Sequence, residues 1–367
     1  MKLDATRWAR VKELFAQTVA LPADEARQIL GSVDDDDVAA EVRSLLGFHV
    51  DDDLVAARSP PPLERDPADP LGLCGQTLRT QNDDDVAITR FVAAGGFGVV
   101  YRGAMTGSRA VAVKVLRPLV SPLHADELAQ ALLREAALLR ELCVQAPAIV
   151  RCEDVGVVDV DAGGMRKRVP FLVLEWLEGV SLGQLLRSSR QPWPLARVLE
   201  LAAPVAAALV VAHERGVAHR DIKPDNLFVE EGAHGARLRL LDFGVAKVAG
   251  DSDNGFLSTA GQLGVATARY AAPEQLRRDG GPTGPWTDVW AFALVLVELL
   301  SGERATGDAD LASLLLRVRP DARPPTPRSC GVDVSDVVEA AFAAALATTP
   351  AHRPSMATFF QTLSARP

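Results

Sequence analysis

One short stretch of the chain combines side chains whose types and spacing suit catalysis. His219 to Asn226 reads HRDIKPDN, so that Asp221 is followed closely by Lys223 and Asn226. A carboxylate, an ammonium group and a carboxamide are thereby set at fixed spacing between apolar runs. The pattern predicts a catalytic loop. A lone His-Arg-Asp triplet is common on surface loops, so the interpretation depends on the motifs before and after it.

The loop resembles the catalytic loop of eukaryotic-type (Hanks-type) serine/threonine protein kinases, which reads H-R-D-x-K-x-x-N. The resemblance implies that Asp221 is the base, that Lys223 steadies the migrating phosphoryl group and that Asn226 holds a metal ion. Downstream, a strand-like run leads into Asp-Phe-Gly at 242–244, which resembles the magnesium-binding triplet of the family. Asp242 is therefore the second expected metal ligand, and ATP and Mg²⁺ are the expected cofactors.

Upstream, the apolar run AVAVKVL at 110–116 predicts a strand that contains Lys114. A lysine on an edge strand could extend its aliphatic chain so that the ammonium reaches water, but a buried lysine needs a partner for its charge. The long helix predicted after this strand, roughly residues 125–142, supplies Glu135, with Glu141 as a rival partner. By resemblance, Lys114 and Glu135 match the strand lysine and helix-C glutamate of the family, in which the lysine grips the α- and β-phosphates.

Two strand-like runs joined by glycines at 86–101 predict a hairpin over a ligand, because glycine lets backbone amides approach phosphate oxygens. The hairpin resembles the kinase glycine-rich loop, with Ala93 in place of its first glycine. Residues 174–179 resemble the hinge, with Leu174 as gatekeeper and the backbone of Glu175 and Leu177 facing adenine. The residues expected to bind nucleotide are Val92, Ala93, Ala94, Gly95, Gly96, Phe97, Gly98, Val99, Val100, Ala112, Lys114, Leu174, Glu175, Leu177 and Phe228.

Four further features complete the resemblance over residues 84–365. The segment 267–274 resembles the end of an activation segment and closes on Ala-Pro-Glu, with Thr267 expected near the catalytic groups. Asp288, on an apolar run, is expected to tether the backbone of the catalytic loop. Arg353 is expected to pair with Glu274. Ser258 and Thr259 are candidate phosphorylation sites that could order the segment through Arg220, or simply part of a solvated linker.

Composition restricts the class of protein. The chain has 367 residues, 48% of them hydrophobic and 24% charged, as in soluble folded enzymes. Its formal net charge of -9 argues against a general nucleic-acid or anionic-membrane surface. The four cysteines are scattered without zinc or redox spacing. The helical run predicted at 195–214 is expected to be core rather than membrane, because it is too short and is interrupted by Pro204. We expect a cytoplasmic protein without a membrane span.

The first 58 residues form a separate unit in this interpretation. Helical periodicity recurs over residues 8–46, and the aspartates at 34–37 are expected to cap a helix rather than to bind calcium. The pattern resembles the helical preamble of many bacterial serine/threonine kinases and could contact a partner or the rest of the chain. A proline-rich linker is predicted at 59–78, and the kinase domain at 79–367, with its small lobe at about 84–175 and its large lobe at about 178–365.

The sequence therefore predicts an α+β, bilobal protein kinase-like fold, with a small antiparallel β lobe and a larger, mainly helical lobe. The expected function is transfer of the ATP γ-phosphoryl group to serine or threonine hydroxyls of proteins. Two alternatives remain at this point. One is a pseudokinase or nucleotide-binding scaffold, and the other, less favoured because the Ala-Pro-Glu segment is complete, is a kinase of small molecules.

Overall fold

The computed structural model describes the residues of both predicted lobes with gaps. The described positions are 14, 29–30, 33, 35, 38, 69–95, 98–105, 107–116, 136, 139–162, 165–232, 235–242, 268–276, 281–307, 314 and 322–365. Predictions for Gly96, Phe97, Glu135, Ser258, Thr259 and Thr267 lie outside them.

The small lobe is built on an antiparallel sheet. In the described part of the chain its order is β1-β2-β3-β4-β6-β5. The strands are β1 (Thr77–Arg79), β2 (Asp85–Ala94), β3 (Gly98–Met105), β4 (Arg109–Leu116), β5 (Cys152–Ala162) and β6 (Met165–Glu175). Sequence periodicity predicts the last five, whereas β1 is too short to show alternation.

The two faces of β4 explain how this sheet carries a site. Val111, Val113 and Val115 are fully buried in the small-lobe core. Alternate residues of a strand point to opposite faces, so Ala112 and Lys114 lie on the other face. Their cross-strand partners on β6 are Leu174 and Leu172. Leu172 and Leu174 belong to the core cluster that continues into the large lobe, so this face is directed towards that lobe.

The domain boundary differs from the predicted linker. Of residues 59–78, the described part packs on the small lobe, where Leu73 is 1% exposed. The Tyr101 hydroxyl donates to the Asp69 carboxylate at 2.9 Å and accepts from the Leu71 amide at 3.1 Å. Residues 69–78 therefore belong to the folded domain, because an extended linker would not bury these apolar and polar groups.

A helical segment follows β4 and lies against the sheet. Residue 136 and residues 139–145 are helical, so the helix ends later than predicted. Leu139 and Leu142 are buried in the core, on the stripe that the sequence predicts. In the N-terminal segment 1–58, the Val38 amide donates to the Asp35 carboxylate at 3.2 Å, which is the helix cap expected of the aspartates at 34–37.

The large lobe is mainly helical. The described helices are α1 (Leu182–Ser188), α2 (Leu195–Glu214), α3 (Pro273–Leu276), α4 (Pro285–Ser301), α5 (Asp336–Ala345) and α6 (Met356–Ser364). A small antiparallel sheet of β7 (Gly179–Ser181), β8 (Leu227–Gly232) and β9 (Gly235–Leu240) adjoins them, in the order β7-β8-β9. The catalytic loop lies between α2 and β8, which fixes both of its ends to regular structure.

Two apolar helices form the centre of this lobe. All residues of α4 from Thr287 to Leu300 are buried, and most of them are apolar, with Thr287, Asp288 and Glu298 as the polar exceptions. Helix α2 has the bounds of the predicted helical run 195–214 and continues through Pro204. By length and composition α2 could also cross a membrane, although 44% of its most apolar window is buried inside the protein. Its buried face includes Val198, Val205 and Leu209.

Candidate active site

The catalytic loop is held together by its own side chains. The ammonium of Lys223 donates to both carboxylate oxygens of Asp221, at 3.0 and 2.8 Å. Asn226 donates from its amide nitrogen to the backbone oxygen of Asp221 at 2.8 Å and to its carboxylate at 2.9 Å. The spacing of the motif therefore produces one interlocked group, in which the orientation of the Asp221 carboxylate is set by two neighbours.

Helix α4 holds the backbone of this loop through Asp288, which is fully buried. Its carboxylate accepts hydrogen bonds from the amides of His219 at 2.8 Å and Arg220 at 2.7 Å. The His213 ring also lies 2.8 Å from it. Arg220 has a φ of +66°, a conformation that costs energy for a side-chain-bearing residue. The two amide bonds to Asp288 stabilise that turn, and the predicted tether is confirmed.

The loop is joined to the strand that delivers Asp242. The His219 ring, 1% exposed, lies 2.8 Å from the backbone oxygen of Leu241. The Leu241 amide in turn donates to the backbone oxygen of Asn226 at 2.9 Å. Asp242 follows directly, with a φ of +55°. These contacts place the second expected metal ligand beside the first.

Asp242 also makes direct contact with the small lobe. The ammonium of Lys114 lies 2.7 Å from its carboxylate, and the Lys114 side chain is only 7% exposed. Burial by itself raises the pKa of Asp242, but the charge and hydrogen bond of Lys114, with His219 and Lys223 nearby, outweigh it and hold that pKa below its ordinary value. Asp242 is therefore a carboxylate at neutral pH. Because Glu135 lies outside the described residues, its pairing with Lys114 stays a prediction.

Part of the predicted nucleotide set lies on the face of the sheet that carries Lys114, whereas Val99 pairs with Val115 and is buried in the small-lobe core on the other face. Val100 is the cross-strand partner of Lys114, and Leu174 is that of Ala112, so the four share one face of the sheet. The described members of the predicted set are Val92, Ala93 and Ala94 on β2, Gly95 after it, Gly98, Val99 and Val100 on β3, Ala112 and Lys114 on β4, Leu174 and Glu175 at the end of β6, Leu177 after it, and Phe228 on β8.

The two described glycines of the hairpin have different roles. Among the described residues, a Cβ on Gly95 would meet no heavy atom within 4 Å, so a ligand could approach its backbone closely. A Cβ on Gly98 would lie 2.4 Å from the backbone oxygen of Val115, so this glycine is required for strand packing. The sequence argument, which assigned the glycines to phosphate access, is incomplete for Gly98.

The residues present fit a magnesium nucleotide. Mg²⁺ prefers oxygen ligands, usually one or two from the protein with phosphates and water completing the shell. Asp242 offers a carboxylate. Asn226 uses its amide nitrogen for Asp221, which leaves its amide oxygen as the ligating atom. Lys114 supplies positive charge, and the open backbone at Gly95 leaves room for phosphates.

The end of the activation segment is anchored by a buried ion pair. Two nitrogens of Arg353 each lie 2.8 Å from an oxygen of Glu274, and both side chains are 0% exposed. The Thr287 hydroxyl also donates to Glu274, at 2.8 Å. This confirms the predicted pair. It connects helix α3 to the segment before α6 and to the start of α4.

Sequence reasoning missed three supporting residues. His213 contacts Asp288 from within the apolar helix α2, where nothing in the local pattern marks it. Gln275 donates to the backbone oxygen of Arg220 at 2.8 Å and so joins the Ala-Pro-Glu helix to the catalytic loop. Arg239 forms ion pairs with Glu175 and Glu230 below the hinge. Arg239 interrupts the strand-like run before Asp242, and that charge in an apolar strand was the available signal.

Comparison with known proteins decides the family. The sequence profile named "Protein kinase domain" matches residues 87–362. The chain belongs to the protein kinase family. The match begins within β2 and ends within α6, so it includes both lobes of the kinase and every group of the site described above.

Individual relatives agree with this assignment. The kinase is 34% identical over 246 residues to the serine/threonine-protein kinase PknB of Mycobacterium tuberculosis, which covers 67% of this chain and 36% of the relative. It is 35% identical over 224 residues to the serine/threonine-protein kinase pkn2 of Myxococcus xanthus, covering 60% of this chain and 25% of that protein. The kinase therefore spans only about a quarter to a third of these curated relatives.

A solved structure supports the fold. The kinase superposes on a crystal structure of the Mycobacterium tuberculosis PknI kinase domain, a double mutant, with a TM-score of 0.54 at 25% identity. The superposition covers 76% of this chain and 94% of that domain. The predicted bilobal, kinase-like α+β fold is thus confirmed.

Proposed function

We propose that this chain transfers the γ-phosphoryl group of ATP to serine or threonine hydroxyls of proteins. One observation carries the proposal: Asp221, interlocked with Lys223 and Asn226, lies in the same site as the Lys114–Asp242 pair. Phosphoryl transfer needs positioning and charge neutralisation more than covalent help from the protein. These five side chains supply both.

Asp221 is the group that orients the attacking hydroxyl and takes its proton. The hydroxyl oxygen forms the new bond to phosphorus, the bond from phosphorus to the leaving oxygen of ADP breaks, and the proton passes to the carboxylate. Lys223 and Asn226 hold that carboxylate in one orientation, which is the contribution that such a base requires. Lys223 also places a positive charge where the transferred group carries negative charge.

The nucleotide is held by the remaining groups. Lys114 would bind the α- and β-phosphates, Asn226 and Asp242 would bind magnesium, and the hairpin around Gly95 would cover the phosphates through its backbone. When bound, magnesium neutralises phosphate charge and fixes the geometry of the transferred group. The hinge at Glu175 and Leu177 would take the adenine edge, and Leu174 and Phe228 are assigned to the same part of the site.

Protein rather than small-molecule substrates are supported by the activation segment. Its Ala-Pro-Glu end is held to the lobe by the buried Glu274–Arg353 pair and to the catalytic loop by Gln275. A lysine two places after the catalytic aspartate is the pattern of serine/threonine-directed kinases. The pseudokinase alternative is not supported, because each polar catalytic position described carries the expected residue.

Location and partners are proposed from the composition of the chain. The net charge of -9 disfavours nucleic acid as a partner. We place the protein in the cytoplasm, where ATP and reduced cysteines are expected, without a role for the membrane. The N-terminal segment 1–58 is proposed to contact a regulatory partner or the kinase domain itself.

The test compares the wild type with Asp221→Asn. The variant keeps the shape of the side chain but loses the base, so phosphoryl transfer should fall by about 100-fold or more. Transfer is measured as radiolabel moved from γ-labelled ATP to a generic protein substrate and to the kinase itself, followed by acid hydrolysis to identify phosphoserine and phosphothreonine. Nucleotide binding, measured by calorimetry, should remain.

The matched control is Asp333→Asn, which makes the same change at an exposed site far along the chain from the motifs. It should transfer phosphate as the wild type does. Undiminished transfer by Asp221→Asn would refute the role of that residue. A wild type that binds ATP and magnesium but transfers nothing would refute the proposed activity.

A further inference from the structure

An arginine outside the reacting groups lies at a junction below the hinge. Arg239, on β9, has a side chain only 12% exposed. One terminal nitrogen lies 2.9 Å from the Glu230 carboxylate on β8. The other bonds to the carboxylate of Glu175 and lies 3.5 Å from the backbone oxygen of Ile149. One guanidinium therefore joins the large-lobe sheet to the last residue of β6.

Glu175 is held from two sides. Its carboxylate accepts from the amide of Arg151 at 2.8 Å, and its own amide donates to the backbone oxygen of Arg151 at 3.0 Å. The segment that carries Arg151 is bound to β9 in turn, because Leu240 donates to Ala148 at 2.7 Å and accepts from Val150 at 3.0 Å. The end of β6, this segment and β9 thus form a closed ring of contacts, and Arg239 is the side chain that spans it.

The position of Arg239 in the small sheet connects it to the nucleotide site. Arg239 and Phe228 are cross-strand partners on β9 and β8. Directly opposed residues of an antiparallel pair project from the same face, with Cβ atoms about 5 Å apart. Arg239 thus lies next to Phe228, a residue assigned to the nucleotide, and bonds to Glu175, whose backbone is assigned to adenine.

General packing does not explain an arginine here. A largely buried guanidinium is costly unless it is paired, and an apolar side chain of similar volume would avoid that cost. The Nε of Arg239 is moreover buried without a hydrogen-bond partner among the residues described. What an arginine adds is a planar fork that can bind two carboxylates at once, which lysine cannot reproduce.

We propose that Arg239 is a positioning residue for the adenine end of the nucleotide. By bridging Glu230 and Glu175 it fixes the hinge backbone against the large-lobe sheet, and it supports Phe228 from the side. It contacts neither Asp221 nor Asp242, so it acts on nucleotide affinity and leaves the transfer step unchanged. The inference rests on the kinase function proposed above.

The experiment measures where a change at Arg239 acts. In Arg239→Met, the KM for ATP and the inhibition constant of adenosine should both rise about tenfold. The reason is that Glu175, at the hinge, loses its charge-assisted hydrogen bond to Arg239. The turnover number at saturating ATP should stay within about twofold of the wild type. Adenosine carries no phosphate, so an equal rise for both ligands locates the effect at the adenosine end of the nucleotide and not at the phosphates.

Three companion variants sharpen the test. Glu175→Gln removes the partner charge and should weaken the binding of ATP and of adenosine by a similar factor. The double variant Arg239→Met/Glu175→Gln should bind both ligands no more weakly than either single variant does. Arg239→Lys keeps the charge but not the fork and should be intermediate. Arg237→Met is the matched control, because it removes an arginine from an exposed site on the same strand and should change neither constant. Thermal unfolding verifies that each variant is folded.

Several results would overturn the inference. Unchanged constants for ATP and adenosine in folded Arg239→Met would do so, as would a change in turnover alone, including faster turnover at unchanged affinity. If Arg239→Met does not fold, Arg239→Lys and Glu175→Gln decide the question by the same constants. A wild type without transfer activity or ATP binding would instead contradict the proposed function.

Discussion

At the scale of single residues, the site is organised by side chains that hold other side chains. Asp221 is oriented by Lys223 and Asn226, and the loop that carries it is held by Asp288. Of these, Asp288 lies 67 positions beyond Asp221 and is fully buried. Its influence on catalysis should therefore be indirect and separable from nucleotide binding.

Replacing Asp288 by asparagine tests this. The backbone amides of His219 and Arg220 bond to different oxygens of the Asp288 carboxylate, and asparagine would replace one of these acceptors by an NH2 group that faces a backbone N–H donor. The loop should shift, and a displacement of about 1 Å in a catalytic group can cost on the order of 100-fold in rate. We expect the turnover number to fall by that order with a KM for ATP near that of the wild type.

Steady-state kinetics at varied ATP measure both constants, and the fraction of folded protein is checked by thermal unfolding. The exposed change Asp333→Asn again serves as control. Turnover within about twofold of the wild type in folded Asp288→Asn would show that the tether does not position the catalytic loop.

At the scale of elements, buried pairs connect segments that the chain keeps far apart. Glu274 on α3 and Arg353 before α6 form such a pair, with neither side chain exposed. Removing one partner leaves a buried, uncompensated charge. We expect Arg353→Met to lower the free energy of unfolding by about 3 to 5 kcal/mol, measured by urea denaturation.

An exposed ion pair provides the comparison. Arg328 lies 2.7 Å from Asp336, and these side chains are 44% and 93% exposed. Arg328→Met should cost about 1 kcal/mol or less, because solvent screens such pairs. Equal losses for the two variants would contradict the assignment of the Glu274–Arg353 pair as a structural anchor.

Strand β1 and the turn after it are attached to the small lobe through Asp154, which is 1% exposed. Burial raises the pKa of this carboxyl, but hydrogen bonds from Thr80, the Val155 amide, Arg140 and the Asn82 amide together lower it below 3.8. A carboxyl whose pKa is lowered by folding stabilises the protein at neutral pH. That contribution is lost as the pH falls through the lowered pKa.

Asp154→Asn should therefore lower the free energy of unfolding by about 2 kcal/mol or more at pH 7, because several of these donors lose an anionic acceptor. The difference from the wild type should shrink as the pH falls below 3.8. Urea denaturation at pH 7, 5, 4 and 3 measures it, with the exposed Asp159→Asn as control. A difference that does not depend on pH would show that the charge of Asp154 is unimportant.

At the scale of the whole molecule, the nucleotide should join the two lobes, because Lys114 belongs to the small lobe and Asn226 to the large one. A ligand that binds only the folded state stabilises it by about 2.7 kcal/mol at 100 times its dissociation constant. For a domain of this size we expect a rise in Tm of about 5 to 10 °C. The inactive Asp221→Asn protein allows the measurement without turnover of ATP.

Magnesium provides the control for this prediction. With ATP and a chelator the rise in Tm should be clearly smaller than with ATP and Mg²⁺. Adding Asp242→Asn to the Asp221→Asn protein should abolish the difference, since an amide replaces the carboxylate ligand. A rise that is independent of magnesium in the presence of Asp242 would contradict its assignment as a ligand.

The boundary of the domain shows where sequence periodicity reaches its limit. Proline and charge content predicted a linker up to residue 78, yet Leu71 and Leu73 are buried in the small lobe. Two apolar residues and a strand of three residues do not generate a detectable period. Their structure depends on Tyr101 and β2, which lie further along the chain.

By itself the sequence determined the chemistry that is local: the order of the motifs, the spacing of Asp221, Lys223 and Asn226, and through resemblance the pairs Glu274–Arg353 and Asp288 with its loop. Only the tertiary structure decided that Lys114 contacts Asp242, that Arg239 joins the hinge to β9, and that residues 69–78 belong to the domain. The reason is physical. Side chains on one loop meet because the backbone is continuous there, whereas those distant in sequence meet only where the packing of strands and helices places them.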